Sequence, residues 1–236
     1  MSEQAADVLI VGAGAAGCAA AWKCLRSGLS VLLISDSLDT VFLADAETVP
    51  GIAGSSAFGS VAAEEAGEDA RELHRQAKWL LEREPDLHLL QASVSTLLTE
   101  GGETAGVGTW EGPEFRARFT ALCVGSFLAA ELTAGELRER AGRPGRMSYP
   151  DLADDLRSHG VELRPSTYAF GSGPGSGSVT ALVIAGNGLR DGVWLKQLPR
   201  TAAAGWCTQP ELDFSGAARA GEELGRKVAA QAEAVS

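Results

Sequence analysis

The sequence has little of what marks several functional classes. Its 236 residues hold four cysteines, Cys18, Cys24, Cys123 and Cys207, widely spaced and without a Cys-x-x-Cys pair. That excludes a redox dithiol motif and zinc-ligand spacing. Cys18, Cys24 and Cys123 read as small buried residues. Three histidines, His74, His88 and His159, are scattered through polar surroundings, none beside a plausible nucleophile; surface positions are expected for them. No apolar run reaches membrane-spanning length. The opening Met1-Ser2-Glu3-Gln4 is short and acidic, unlike a secretory signal, so the expected location is the cytoplasm. Positive charge is also scarce: 20 Lys and Arg against 31 Asp and Glu give a net charge of −11. A nucleic-acid phosphate backbone needs a basic face, so nucleic acid is not an expected partner. The one basic cluster, Arg138, Arg140, Arg143 and Arg146, is interrupted by Glu136 and Glu139 and reads as a solvated helix end and loop.

Glycine, by contrast, is abundant and placed. The strand-like Asp7-Val8-Leu9-Ile10-Val11 runs straight into Gly12-Ala13-Gly14-Ala15-Ala16-Gly17, a G-x-G-x-x-G loop. In that motif the first glycine permits the tight turn and the second lets backbone approach a pyrophosphate. The third lets the next helix pack close to the sheet. An alanine-rich helix over Cys18 to Ser27 and a second strand over Ser30 to Ile34 complete a βαβ unit, whose helix N-terminus favours an anion. A dinucleotide site is expected here, with Ile34, Ser35 and Asp36 at the end of the second strand.

Further along, glycine and proline between Asp39 and Gly59 exclude a helix there. Leu73, Ala77, Leu80 and Leu81 give residues Val61 to Arg83 the stripe of one long helix. Leu87 to Gln91 reads as a parallel strand. Val94 to Glu100, Gly106 to Glu111 and Glu114 to Phe119 read as a three-stranded antiparallel meander. Ala121 to Val124 is expected as a separate strand re-entering the sheet, ending in Gly125-Ser126-Phe127-Leu128. Residues 135–178 differ in composition and read as a small insertion. It has flexible loops at Gly142 to Gly145 and Gly171 to Ser178 and a helix from Tyr149 to His159. Val179 to Ala185 is a strand, Thr201 to Gly205 a weak one, and Ser215 to Gln231 a helix. The expected fold is α/β: a single domain over 1–236, a parallel doubly wound sheet crossed by the meander.

This order of parts resembles flavoproteins that bind FAD through a Rossmann-like domain. In that fold a second site near the C-terminus has a small-small-Gly pattern before a helix. Here that corresponds to Ala203-Ala204-Gly205-Trp206 and then Phe214-Ser215-Gly216. Within that superfamily the stretch from about residue 7 to 150 is similar to the glucose-inhibited division protein A family, flavoenzymes that modify wobble uridine in tRNA. The resemblance rests on Leu32-Leu33-Ile34-Ser35 with Asp39-Thr40, Pro50-Gly51-Ile52-Ala53-Gly54, Leu87 to Val94, Gly125-Ser126-Phe127-Leu128, and Gly142-Arg143-Pro144-Gly145 leading to Ser148. It implies FAD as cofactor, with Val94, through its backbone near the adenine, and Ser148 as contacts. Gly125, Ser126, Gly205, Trp206, Ser215 and Gly216 join Gly12 to Gly17 in the expected site.

Departures accompany the match. Ser35 stands where most Rossmann folds carry the acidic residue that holds ribose hydroxyls, which disfavours an NAD-dependent dehydrogenase. Thr48-Val49 replaces the family's Cys-Asn before proline. The chain is expected to be an FAD domain without the family's nicotinamide-binding insertion and helical domain, and not to modify tRNA by itself. No residue stands out as a catalytic acid or base. Cys207, beside the Gly205 loop, is the one thiol that could lie near the flavin; the alternative is a packed small side chain. Two functions follow: an FAD-dependent oxidoreductase using a donor such as NAD(P)H, or a non-catalytic FAD-holding subunit that works with a protein partner.

Overall fold

A computed structural model describes residues 6–44, 49–66, 69–143, 145–171 and 176–235. Thr48, Pro144 and residues 172–175 of the glycine-rich loop lie outside the described residues, as does the opening tetrapeptide.

The core is built on β1 (Ala6–Val11) and β2 (Val31–Ser35), joined by α1 (Ala15–Leu25). Both strands are apolar on both faces, as a sheet covered on each side requires. Val8, Ile10, Val31 and Leu33 pack into one layer; Leu9, Val11, Leu32 and Ile34 pack into the other. Next come α2 (Ala57–Ala66), α3 (Ala70–Glu82) and β3 (Leu87–Gln91), which pairs in parallel with β2. The meander is β4 (Val94–Glu100), β5 (Glu103–Thr109) and β6 (Glu114–Leu122). A second, four-stranded sheet follows, in the order β11-β12-β7-β8, from β7 (Glu131–Ala134), β8 (Leu137–Glu139), β11 (Leu163–Phe170) and β12 (Gly177–Ile184). Between its halves lie the two-stranded β9 (Ala141–Arg143) and β10 (Arg146–Met147), and α4 (Pro150–Ser158). The chain closes with β13 (Leu189–Arg190), β14 (Trp194–Leu195), β15 (Thr201–Ala203) and α5 (Phe214–Ala234).

The main sheet runs β13-β14-β15-β6-β1-β2-β3, and β15, β6, β1, β2 and β3 are mutually parallel. Helices α1, α2, α3 and α5 cover one face, while the meander and α4 cover the other. This is the mixed α/β, parallel-rich sheet with an antiparallel meander that the sequence implies.

Several boundaries differ from expectation, each for a local reason. Residues 61–83 are not one helix. Asp69 caps a new one, its carboxylate accepting from Arg71 N (2.8 Å) and Glu72 N (2.9 Å), and Asp69-x-x-Glu72 is a helix-start signature. Helix α2 begins at Ala57, inside the stretch from which glycine and proline were expected to exclude helix, and short 3-10 turns occupy Leu38–Thr40 and Val49–Gly51. There is no separate strand at Ala121: β6 is continuous. Its first residues pair antiparallel with β5, and from Ala117 it pairs in parallel with β1. Gly142 lies in β9 rather than in a loop. The second sheet extends past residues 135–178 on both sides.

Helices α1 and α5 pack very closely. A Cβ on Gly221 would stand 2.0 Å from the Ala16 carbonyl oxygen, and one on Gly225 would stand 2.7 Å from that of Ala20. The two helices therefore meet backbone to backbone, glycine on one and alanine on the other. Gly221→Ala gains helix propensity yet must separate the helices. We expect it to lower the melting temperature by about 5 °C or more. Gly54→Ala, whose new Cβ has nothing within 4 Å, should shift it by about 2 °C or less. Scanning calorimetry of the two variants checks this.

Candidate functional site

The glycine loop sits at the carboxyl ends of β1 and β6, where ligands bind in open α/β sheets. Gly12 has φ +100°, and a Cβ there would lie 2.3 Å from the Cys123 carbonyl oxygen. A Cβ on Gly17 would lie 1.7 Å from the Gly12 carbonyl oxygen, so helix α1 rests directly on its own turn. Gly14 is different: a Cβ there meets nothing within 4 Å and would project into open space. Gly14 is also the N-cap of α1, and no side chain caps that end. The first-turn N–H groups of a helix have no intrahelical acceptor, so Ala15, Ala16 and Gly17 present theirs at this opening.

The carbonyl of Ala13 is turned away from it. It accepts the Phe42 N–H (2.8 Å) and the Cys18 thiol (3.1 Å). Phe42 holds φ +51°, a conformation costly for a bulky residue. It is kept there by full burial and edge contacts with Phe58 (4.9 Å) and Phe214 (5.0 Å). The loop thus offers donors outward and hides an acceptor, an arrangement suited to an anion.

The other expected residues line the strand ends on either side. Gly12 N–H donates to the Ile34 carbonyl (2.7 Å), which ties the loop to the end of β2; the Ile34 side chain itself is core. Ser35 is buried, and its hydroxyl donates to the Ser37 carbonyl (3.0 Å). Asp36 is half-buried. Burial pushes its carboxyl above the usual range, against the opposing charge of Arg146. Tyr149 lies close by: burial, then the charge of Asp36, pushes its phenol up. Ala92 N–H donates to the Ser35 carbonyl (2.9 Å), bringing Val94 next in line. Val94 and Ser148 line one cleft of about 210 Å³ together with Trp110 and Met147.

On the β6 side, Gly125 turns through φ +57°. Ser126 is buried, its hydroxyl 3.0 Å from the Tyr168 hydroxyl, and both point at the Gly142 carbonyl. Tyr168 meets Trp206 edge to face at 5.2 Å. Gly205 passes so close to α1 that a Cβ would stand 2.9 Å from that of Ala16, so the Gly205-Trp206 loop and the glycine loop form one surface. The start of α5 is already capped by a side chain. Gly216 N–H donates to the Asp213 carboxylate (2.6 Å) and the Ser215 hydroxyl to the Gly51 carbonyl (3.1 Å). A carboxylate at that helix end leaves it far less suited to a phosphate than the end of α1.

Cys207 is fully buried, its thiol 3.3 Å from the Ala204 carbonyl oxygen and 3.5 Å from that of Leu122. Burial pushes it up to about 12, and it packs as a small buried side chain. Cys24 is likewise pushed up to about 12 by burial, and Cys18 and Cys123 are raised for the same reason. Among the described residues no group of three His, Cys, Asp or Glu could hold a metal ion. A larger cavity of about 460 Å³ lies at the opposite, amino-terminal end of the strands. Its cations are engaged within the fold: Arg118 with Asp7 (3.1 Å), Arg200 with Glu103 (2.7 Å) and Lys196 with the Asn187 carbonyl (2.7 Å).

Sequence reasoning overlooked Trp110, Met147 and Tyr168. Trp110 had a visible signal, a large aromatic set among turn residues in Thr109-Trp110-Glu111-Gly112-Pro113. Tyr168 was hidden because β11 carries Pro165 and polar residues.

The family model described as "Glucose inhibited division protein A" matches residues 7–68 and 44–167. The chain belongs to this family. It is 33% identical to the GidA-related protein of Thermus thermophilus, whose crystal structure superposes with a TM-score of 0.85 over 96% of this chain and 99% of that one. Aquifex aeolicus GidA also gives a TM-score of 0.85, at 13% identity, over 98% of this chain and 66% of its own; that likeness shows the fold. The tRNA uridine 5-carboxymethylaminomethyl modification enzyme MnmG of Chlamydia trachomatis serovar A is 30% identical over 187 residues, 66% of this chain and 31% of the relative. The chain thus spans about a third of the length of that relative. The fold is the Rossmann-like fold of FAD-binding flavoproteins. No helix among the described residues is long and apolar enough to cross a membrane.

The four buried thiols give a direct check on this geometry. The native protein should show no fast reaction with an aromatic disulfide reagent at pH 8, and all four should react in denaturant. A fast-reacting native thiol would contradict the burial described for these residues.

Proposed function

We propose that this chain is an FAD-binding flavoprotein of oxidoreductase type. The observation that carries the reading is Gly14, an uncapped helix start whose missing Cβ leaves open space beside free N–H donors. That cradle suits a pyrophosphate. Gly12 to Gly17, including Ala13, Ala15 and Ala16, would hold the pyrophosphate. Asp36 at the end of β2 would face the adenosine ribose, because the Ser35 hydroxyl is committed to Ser37. Val94 and Ser148 would contact the adenine end. Gly205 and Trp206, beside Gly125 and Ser126, would line the path toward the flavin, with Ser215 and Gly216 fixing the loop at Gly51. When bound, the flavin supplies the electron-transfer chemistry, and the protein supplies binding and orientation.

A second reading is a non-catalytic FAD-holding subunit working with a protein partner. Its support is the absence, among the described residues around the glycine loop, of a reactive thiol or a metal cluster. Four buried free thiols fit a reducing compartment such as the cytoplasm. Whether NAD(P)H or a partner reduces the flavin is open to assay: sustained NADH or NADPH oxidation by the purified holoprotein with oxygen would rule out the purely binding role.

The cofactor is tested by adding FAD to the apoprotein and recording the spectrum after gel filtration. Bands near ~450 nm should co-elute with the protein. Gly14→Val should still fold, with only the modest loss in melting temperature that a β-branched residue at an N-cap causes, since a Cβ there meets no protein atom. It should weaken FAD binding about 100-fold, roughly 3 kcal/mol of lost phosphate contact. Unaltered FAD binding by that variant would remove the loop from the site.

A further inference from the structure

The cleft that holds Val94 has an apolar wall open to solvent. Trp110 is 69% exposed and Met147 is 61% exposed, and both line this cleft of about 210 Å³. Two large apolar side chains are thus left in the open, facing the same small space. Local structure does not call for them, since Trp110 belongs to a polar turn between β5 and β6.

Three backbone hydrogen bonds connect this wall to the glycine loop. Gly12 N–H donates to the Ile34 carbonyl (2.7 Å), Ala92 N–H to the Ser35 carbonyl (2.9 Å), and Trp110 N–H to the Ser93 carbonyl (2.8 Å). The Glu111 carboxylate accepts the Ser93 N–H at 3.1 Å and fixes the turn. From the anion cradle the line crosses the end of β2 and reaches the backbone of Trp110. A nucleotide laid along it, phosphates at Gly14 and ribose at Asp36, would bring its base into this cleft. Tyr149, bridged to Leu128 in the loop after β6, also lines the cleft.

We propose that Trp110 is the base-stacking residue of this chain, with the adenine seated between its indole face and Val94 and with Met147 at the edge. The assignment rests on the FAD reading and deepens it. An aromatic face stacks on a purine and is shielded from water by it, and loss of such a face typically weakens binding severalfold to a hundredfold. The polarisable thioether of Met147 suits an aromatic edge. Arg140 on the rim would select for a nucleotide over a neutral base through its charge.

The experiment measures affinities of FAD, ADP and FMN for the wild type, Trp110→Ala and Trp110→Phe by calorimetric titration. The indole is exposed, so Trp110→Ala should fold with an unchanged melting temperature. It should lose about ten-fold or more in affinity for FAD and ADP, but none for FMN, which has no adenine. Trp110→Phe should recover most of the loss. Equal affinity of Trp110→Ala and wild type for FAD and ADP would overturn the assignment while leaving the FAD reading intact. A wild type that binds neither FAD nor ADP would overturn both.

Discussion

Everything at the strand ends depends on how closely backbone approaches the first turn of α1. The helix starts against the Gly12 carbonyl, passes under Gly205, and is crossed by α5 at Gly221 and Gly225, each time at a distance that excludes a Cβ. Such packing offers little apolar area per residue and draws instead on dense van der Waals contact. It serves position: the helix axis is fixed to within the width of a methyl group. The N–H groups that open beside Gly14 are aimed by that constraint and by the inward anchoring of the Ala13 carbonyl.

A site built from backbone would let a chain of net charge −11 hold an anion. The donors are peptide groups and a helix dipole, both independent of the charge of the surface. The side chains around the cradle are mostly occupied elsewhere: Ser35 with Ser37, Ser126 with Gly142, Ser215 with Gly51. Asp36 remains, half-buried and biased by desolvation toward its neutral form. The surroundings therefore shape and orient more than they react, consistent with chemistry carried by a cofactor.

The sequence made the frame legible because each signal there is local. Apolar β1 and β2, the three spaced glycines and the small residues of α1 each specify their own geometry, and the structure agrees to within a few residues. What stayed hidden depended on distant partners. The break between α2 and α3 turns on one capping carboxylate, Asp69. The two-faced role of β6 appears only when β5 and β1 are both in place. Strand β11 carries Pro165 and polar residues because it lies at the edge of its sheet, where alternation is weak. At the candidate site, the glycine loop was readable, whereas the rank of the α5 start was not: only the fold shows Asp213 filling it. Trp110 was visible but lacked context until the fold set it in one cleft with Val94.

The unbroken run of β6 has a mechanical meaning. One end of the strand holds the hairpin that carries the exposed indole; the other runs into the Cys123 carbonyl beneath Gly12. The first residues of β6 pair with β5, its middle with β1, and its last, Thr120 to Leu122, with β1 and β15 together. The turn that carries Trp110 and the loop at Gly12 therefore share one continuous strand as their support.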